Sequence, residues 1–220
     1  MRQSNSRPAR STIPTYSVSA LIAYEACPYQ YYLSYVRRVP PPPSPAMALG
    51  VNIHALIAAH FTQPSLFEPD AGPEAMEMFN RFLQSRLNTR PTLFEERFTL
   101  SFAGGSVRGR VDAVFPLNDG RLELVDFKSG RPEAREWLAS TLQLPLYGMA
   151  IAERFGHAPE ELLYTYHFLR DGSEHTTAPA PDINQQTSQR VETVLQAIQN
   201  GQFTARPGCQ CYACWREASR

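Results

Sequence analysis

Two short stretches of this sequence set acidic and basic groups where they could act together. They are Gly109-Arg110-Val111-Asp112-Ala113-Val114 and Val125-Asp126-Phe127-Lys128-Ser129-Gly130. Polar and apolar residues alternate across 108–115 and again across 121–128, and Asn118-Asp119-Gly120 between them is a turn signal. A three-residue loop with Gly120 in the left-handed conformation would set Leu117 opposite Arg121, and therefore Asp112 opposite Asp126. Side chains two residues apart share a face, which puts Lys128 beside Asp126. Opposed residues have Cβ atoms roughly 5 Å apart, and like charges there are destabilising. A divalent cation is the natural compensation, and Mg2+ or Mn2+ suits carboxylate oxygen. Such a cluster has the parts needed to hydrolyse a phosphodiester: carboxylates for the metal, and an ammonium for the attacking water or a phosphate oxygen. A two-residue Asp119-Gly120 loop would instead slip the register and send the carboxylates to opposite faces.

The elements around this hairpin follow from periodicity. Ser17 or Ser19 can cap a helix running toward Ala26, and Pro28 can open a further helical turn over 29–36, dense in tyrosine. The run Pro-Pro-Pro-Pro-Ser-Pro over 40–45 is a stiff extended linker. Helical spacing recurs over 46–61, with His54 on the stripe that includes Gly50, Ile57 and Ala58, and over 73–87. Strands are expected at 92–102, 108–115, 121–128 and 162–169, and helices at 133–155 and 183–198. Pro145 inside the 133–155 helix would remove a hydrogen bond and kink it, at ~3 kcal/mol. The order predicts an α/β fold, a mixed central sheet flanked by helices, with a helical N-terminal region. Residues 1–16 read as a disordered tail, 17–200 as the main domain and 201–220 as a cysteine-bearing tail.

Bulk properties narrow the classes. With 220 residues, 43% hydrophobic and 19% charged, the chain has the composition of a globular protein with a real core. Its formal net charge of zero leaves any phosphate-binding surface to a local patch. No apolar run approaches the ~20 residues of a membrane span, and the N-terminus has no apolar leader core, so a cytoplasmic protein without a membrane partner is expected. Of the cysteines, Cys27 stands alone while Cys209, Cys211 and Cys214 cluster at the far end. In a reducing compartment such a set binds metal more often than it forms disulfides. There is no Gly-x-x-x-x-Gly-Lys loop, hence no ATP motor in this sequence.

Four elements in order resemble the PD-(D/E)XK nuclease superfamily, and within it the RecB-like branch of helicase–nucleases and CRISPR spacer-acquisition nucleases. They are Gly50-Val51-Asn52-Ile53-His54, Asp112, Asp126-Phe127-Lys128 and Gln143-Leu144-Pro145-Leu146-Tyr147. The branch's middle acidic residue is more commonly glutamate; here it is Asp126. The resemblance implies a restriction-endonuclease-like core in which His54, Asp112 and Asp126 hold Mg2+ or Mn2+ and Lys128 assists the water. It implies also that Gln143 and Tyr147, four apart on one helical face, orient the substrate or the water. DNA, single-stranded or at duplex ends, would be the substrate, with a helicase or a CRISPR integrase as partner in trans. The segment Tyr24-Glu25-Ala26-Cys27-Pro28-Tyr29 looks like the opening of the same branch's 4Fe–4S motif. Its usual tail, Cys-x2-Cys-x5-Cys, is met only by Cys211 and Cys214, because the last position is Arg220. Cys209 could replace the missing ligand. Zinc on the same thiolates, or no metal, stays open, since iron–sulfur and zinc share ligands.

Arg108, Arg110, Lys128, Arg131 and Arg135 gather around the hairpin, and Arg37 and Arg38 follow the tyrosine-rich helix. Arginine suits phosphate, and exposed tyrosines can stack unpaired bases. Two other classes remain: a non-catalytic DNA-binding or assembly module that keeps the fold, and a zinc-stabilised scaffold without affinity for nucleic acid.

Overall fold

A computed structural model describes residues 13–62, 71–132, 138 and 140–218. The elements are β1 (Thr15–Ser17), α1 (Val18–Ala26), α2 (Pro28–Tyr31, widening into a π turn over Tyr32–Val36), α3 (Pro45–Thr62) and α4 (Pro73–Leu83). There follow β2 (Leu93–Phe102), β3 (Gly105–Pro116), β4 (Leu122–Lys128), α5 (Gln143–Phe155), β5 (Leu162–Phe168), β6 (Glu174–Thr177), α6 (Ile183–Gln199) and α7 (Tyr212–Ala218). Ser17 is the cap of α1, its hydroxyl accepting from Ala20 N–H at 3.1 Å.

The strands form one mixed sheet organised by β3. Its residues 105–114, Asp112 excepted, pair antiparallel with β2, from Phe102↔Gly105 to Leu93↔Val114. Its other edge is shared: β1 runs parallel along Ser106–Arg108, and β4 antiparallel along Ala113–Pro116. Between those two partners, residues 109–112 of that edge form no ladder pair among the described residues. β5 then continues the sheet parallel to β4, and β6 closes it antiparallel to β5.

The turn between β3 and β4 has the three-residue form. Leu117 N–H donates to Arg121 O at 2.9 Å, and Gly120 has φ 87°. The register Ala113↔Val125, extended by one residue, sets Asp112 opposite Asp126. Register is therefore as the alternation predicts, but the faces are not. Val107 and Val111 pack into one apolar layer, with Leu21, Leu146 and Leu195, whereas Ala113 and Phe115 pack into the other, with Ile53, Ile57 and Phe82. Side-chain parity therefore shifts by one at Asp112. Opposite it on β2, Glu95 lies unpaired at φ 50°, and the parity of β2 shifts with it. A non-glycine residue in the left-handed region is strained, and such strain collects at functional sites.

Other elements differ from expectation. The strand Thr15–Ser17 forms within the stretch expected as a tail, because β3 offers it a parallel edge. β6 and α7 carry no strong local signal and form through β5 and the cysteine segment. The expected 133–155 helix is interrupted: Leu138 and Ser140 are helical, Thr141 and Leu142 are not, and α5 begins at Gln143, while 133–137 and 139 lie outside the described residues. Pro145 thereby falls in the first turn, where its missing N–H costs nothing, so no kink is needed. α3 is long and apolar enough to cross a membrane, with 18 residues and mean hydropathy 1.2. Its inner face, Ile53, Leu56 and Ile57, packs instead into the second core layer.

A buried ion pair fastens the segment after α4 to the sheet. Glu123 on β4 is 2% exposed; its carboxylate accepts both Arg86 guanidinium nitrogens at 2.7 Å and the Thr165 hydroxyl at 2.6 Å. Breaking such a pair by removing one partner leaves an uncompensated buried charge. Arg86→Met is therefore expected to lower the unfolding free energy in urea by about 3 kcal/mol, with Glu123→Leu in the same chain recovering most of it. A loss below about 0.5 kcal/mol would contradict this account.

Candidate active site

The unpaired stretch of β3 ends at Asp112, and the backbone N–H and carbonyl of Phe127 on β4 hold two groups there. Phe127 N–H donates to Asp112 Oδ2 at 3.0 Å. Phe127 O lies 3.0 Å from His54 Nε2. A carbonyl only accepts, so Nε2 carries the proton and Nδ1 keeps its lone pair. That Nδ1 faces Asp112 Oδ2 at 3.9 Å, too far for a hydrogen bond. Burial holds the His54 pKa below its ordinary value, favouring the neutral ring. Gly50, one turn before His54, lets α3 approach the loop after β4; a Cβ there would sit 3.1 Å from Ser129 Oγ.

On the α5 side, Asp126, Lys128, Gln143 and Tyr147 form one network. Gln143 Nε2 donates to Asp126 Oδ1 at 2.6 Å and to the Tyr147 hydroxyl at 3.0 Å. Its Oε1 accepts from Lys128 Nζ at 2.6 Å. Lys128 Nζ also pairs with Asp126 Oδ2 at 2.7 Å and sits 5.1 Å from the centre of the Tyr166 ring. Asp126 Oδ2 is buried and has no hydrogen bond of good geometry beyond that ion pair. Burial, with the two aspartates nearby, raises the Tyr147 pKa far above its usual value and keeps the phenol protonated.

Asp112 is 8% exposed, and burial followed by the neighbouring Asp126 charge pushes its pKa up to about 8. Two carboxylates in a buried setting call for a cation. Carboxylate oxygens and an imidazole nitrogen suit Mg2+ or Mn2+. Atoms sharing a ligand sphere at ~2.1 Å can stand no more than about 4.2 Å apart, a limit the 3.9 Å between His54 and Asp112 respects. The donors of His54, Asp112 and Asp126 are not, however, all drawn within 4.8 Å of each other; among the described residues only the cysteines are. The expected three-residue cage is therefore not closed, because Gln143 and Lys128 hold Asp126.

The site opens into a groove of about 680 Å3 lined by His54, Glu95, Arg110 and Ser129, with apolar Met47 and Val51 of α3 on its rim. Arg110 pairs with Glu95 at 2.9 Å. Glu95 escapes sequence reasoning, since one glutamate in Glu95-Glu96 looks like any polar strand position. Tyr166 escapes it too, having no signal beyond its place in a strand.

The remaining candidates divide. Cys27 is fully buried, and its sulfur and those of Cys209, Cys211 and Cys214 all lie within 4.8 Å of one another. Arg37 and Arg131 are exposed, and Arg135 lies outside the described residues. Tyr24 and Tyr31 are core residues rather than base-stacking ones: the Tyr24 hydroxyl donates to Gln202 O at 2.6 Å, and Tyr31 stacks on Phe203 with ring centres 6.0 Å apart.

The fold is similar to that of a crystal structure from Eubacterium rectale described as a "putative exonuclease", with TM-score 0.62 and 14% identity over 91% of this chain and 86% of that one. A second solved structure, SSO0001, is 16% identical over 83% of this chain and 75% of that one, with TM-score 0.47. No curated protein matches the chain in sequence. A sequence profile of the PD-(D/E)XK nuclease superfamily matches residues 15–84 and 66–218, spanning the sheet, the aspartates and the cysteines. The chain belongs to the PD-(D/E)XK nuclease superfamily.

Proposed function

We propose that this chain is a metal-dependent deoxyribonuclease of the RecB-like branch, hydrolysing phosphodiester bonds in single-stranded DNA or at DNA ends. The observation that carries this reading is the Phe127 backbone, whose N–H and carbonyl orient Asp112 and His54 toward one another beside Asp126 and Lys128. Repair, recombination or CRISPR spacer capture are the settings that fit, with a helicase or an integrase supplied in trans. The intact acidic pair speaks against a retired, purely binding module, because opposed buried acids only destabilise a fold that does not use them.

In this reading His54 Nδ1, Asp112 and Asp126 hold Mg2+ or Mn2+. The bound ion would supply an acidified water and neutralise charge on the phosphoryl oxygens. The protein's own groups do the rest. Lys128, already shared between Asp126 and Gln143, is placed to orient the attacking water or to meet phosphoryl charge. Gln143 fixes both of those side chains, and the Tyr147 phenol, kept protonated, remains a donor at the edge of the site. Arg110 and the apolar α3 rim would guide the strand along the groove.

Cleavage of labelled single-stranded DNA in Mn2+ is expected from the unaltered chain. Asp126→Ala and Lys128→Ala should each lower the rate by about 10²-fold or more. Undiminished cutting by both variants would overturn the assignment. A second expectation concerns the metal-free chain. The folded-state pKa of Asp112, about 8, lies above its ordinary 3.8, so the folded chain keeps a proton that the unfolded chain releases. Stability from this group thus falls as pH rises between those values. In EDTA, thermal melts of Asp112→Asn should rise relative to wild type as pH goes from 5 to 8.5, while nuclease activity is lost. A difference between the two proteins that does not change with pH would contradict the raised pKa.

A further inference from the structure

The cysteine set has a geometry that chooses between metals. A 4Fe–4S cubane carries each thiolate on a different iron, which spreads the sulfurs to about 6 Å apart. A single zinc ion with Zn–S bonds of ~2.3 Å draws four thiolates to about 3.8 Å along each tetrahedral edge. Here every pair lies within 4.8 Å, and Cys27 Sγ is 3.6 Å from Cys214 Sγ. The sulfurs stand too close to surround a cubane. The 4Fe–4S cluster implied by the resemblance does not fit this ligand set, and we propose that Cys27, Cys209, Cys211 and Cys214 form a mononuclear tetrahedral site for zinc.

The chain around the sulfurs agrees. The iron–sulfur spacing Cys-x2-Cys-x5-Cys fails at Arg220, so a fourth thiolate must come from Cys209, one residue from Cys211. Ligands that near in sequence reach one ion more readily than the separate corners of a cube. A tight reversal brings Cys209 round: its N–H donates to Arg206 O at 3.1 Å, with Gly208 between them at φ 73°. Cys211 precedes α7 and Cys214 sits in its first turn, three residues on, so both address one side of that helix. Cys27, at the α1–α2 junction, supplies the buried fourth ligand.

The site would be structural, with no open coordination position. It ties residues 187 apart in sequence. The neighbouring contacts already join the same segments: Tyr24 to Gln202 by a 2.6 Å hydrogen bond, and Tyr32 to Phe203 by rings 5.2 Å apart. Zinc would lock a junction that aromatic packing has begun.

The test is metal analysis of the full chain, purified without oxygen from cells supplied with both iron and zinc. The expected result is a colourless protein with one zinc ion per chain, no acid-labile sulfide, and thiols that react only after the metal is released. Exchange with Co2+ should give the intense visible bands of tetrahedral cobalt thiolate. Cys209→Ser, a half-buried loop position, should keep the far-ultraviolet circular dichroism of the parent and bind zinc at least tenfold more weakly. A brown protein with iron and sulfide in equal amounts would overturn the proposal. So would a metal-free protein with a Cys27–Cys214 disulfide, or zinc affinity unchanged in Cys209→Ser.

Discussion

The backbone N–H and carbonyl of Phe127 are the constraint on which the site depends. Buried backbone polar groups must find partners, and sheets normally supply them strand to strand. Here β1 and β4 share one edge of β3 without meeting, which leaves 109–112 without a ladder pair there among the described residues. At the end of that gap the ladder gives way to side chains: Asp112 takes the Phe127 N–H and His54 takes its carbonyl. Satisfying the N–H and the carbonyl of one residue thereby aims a carboxylate and a ring nitrogen at each other. The flanking residues of β4, Asp126 and Lys128, point together toward α5 and are held there by Gln143.

Much of this was legible in the sequence, for identifiable reasons. Gly120 admits the left-handed turn, and that turn fixes the register that opposes Asp112 to Asp126. The periodicity of α3 places His54 correctly because Ile53, Leu56 and Ile57 leave no doubt about its inner face. The parity shift at Asp112 was not legible. Both faces of the sheet are covered, so Val111, Ala113, Val114 and Phe115 are all apolar, and alternation carries no phase there. Glu95 was hidden for a related reason: its left-handed backbone is a product of pairing with β3, not of its own chemistry. Pro145 does not kink a helix because Thr141 and Leu142 interrupt the helical run, so that a new first turn begins at Gln143.

Two separate groups of side chains divide hard from soft donors. Carboxylates and one imidazole lie where the β3 edge is open, the set proposed to hold Mg2+ or Mn2+. Thiolates gather where α2 meets the C-terminal segment, a set for a softer ion. The sequence showed the membership of both groups. It could not show the spacing between sulfur atoms, which depends on how α7 and the Gly208 turn close on Cys27.

The central claim is that Asp112 and His54, posed by the backbone of one residue, Phe127, form the heart of a divalent-cation site. The most direct measurement is a Mn2+ titration followed by electron paramagnetic resonance, with the unaltered chain, Asp112→Asn and His54→Ala compared at one pH. The account predicts a saturable site in the unaltered chain, at least tenfold weaker binding in His54→Ala, and none in Asp112→Asn. Equal binding by all three proteins would contradict it.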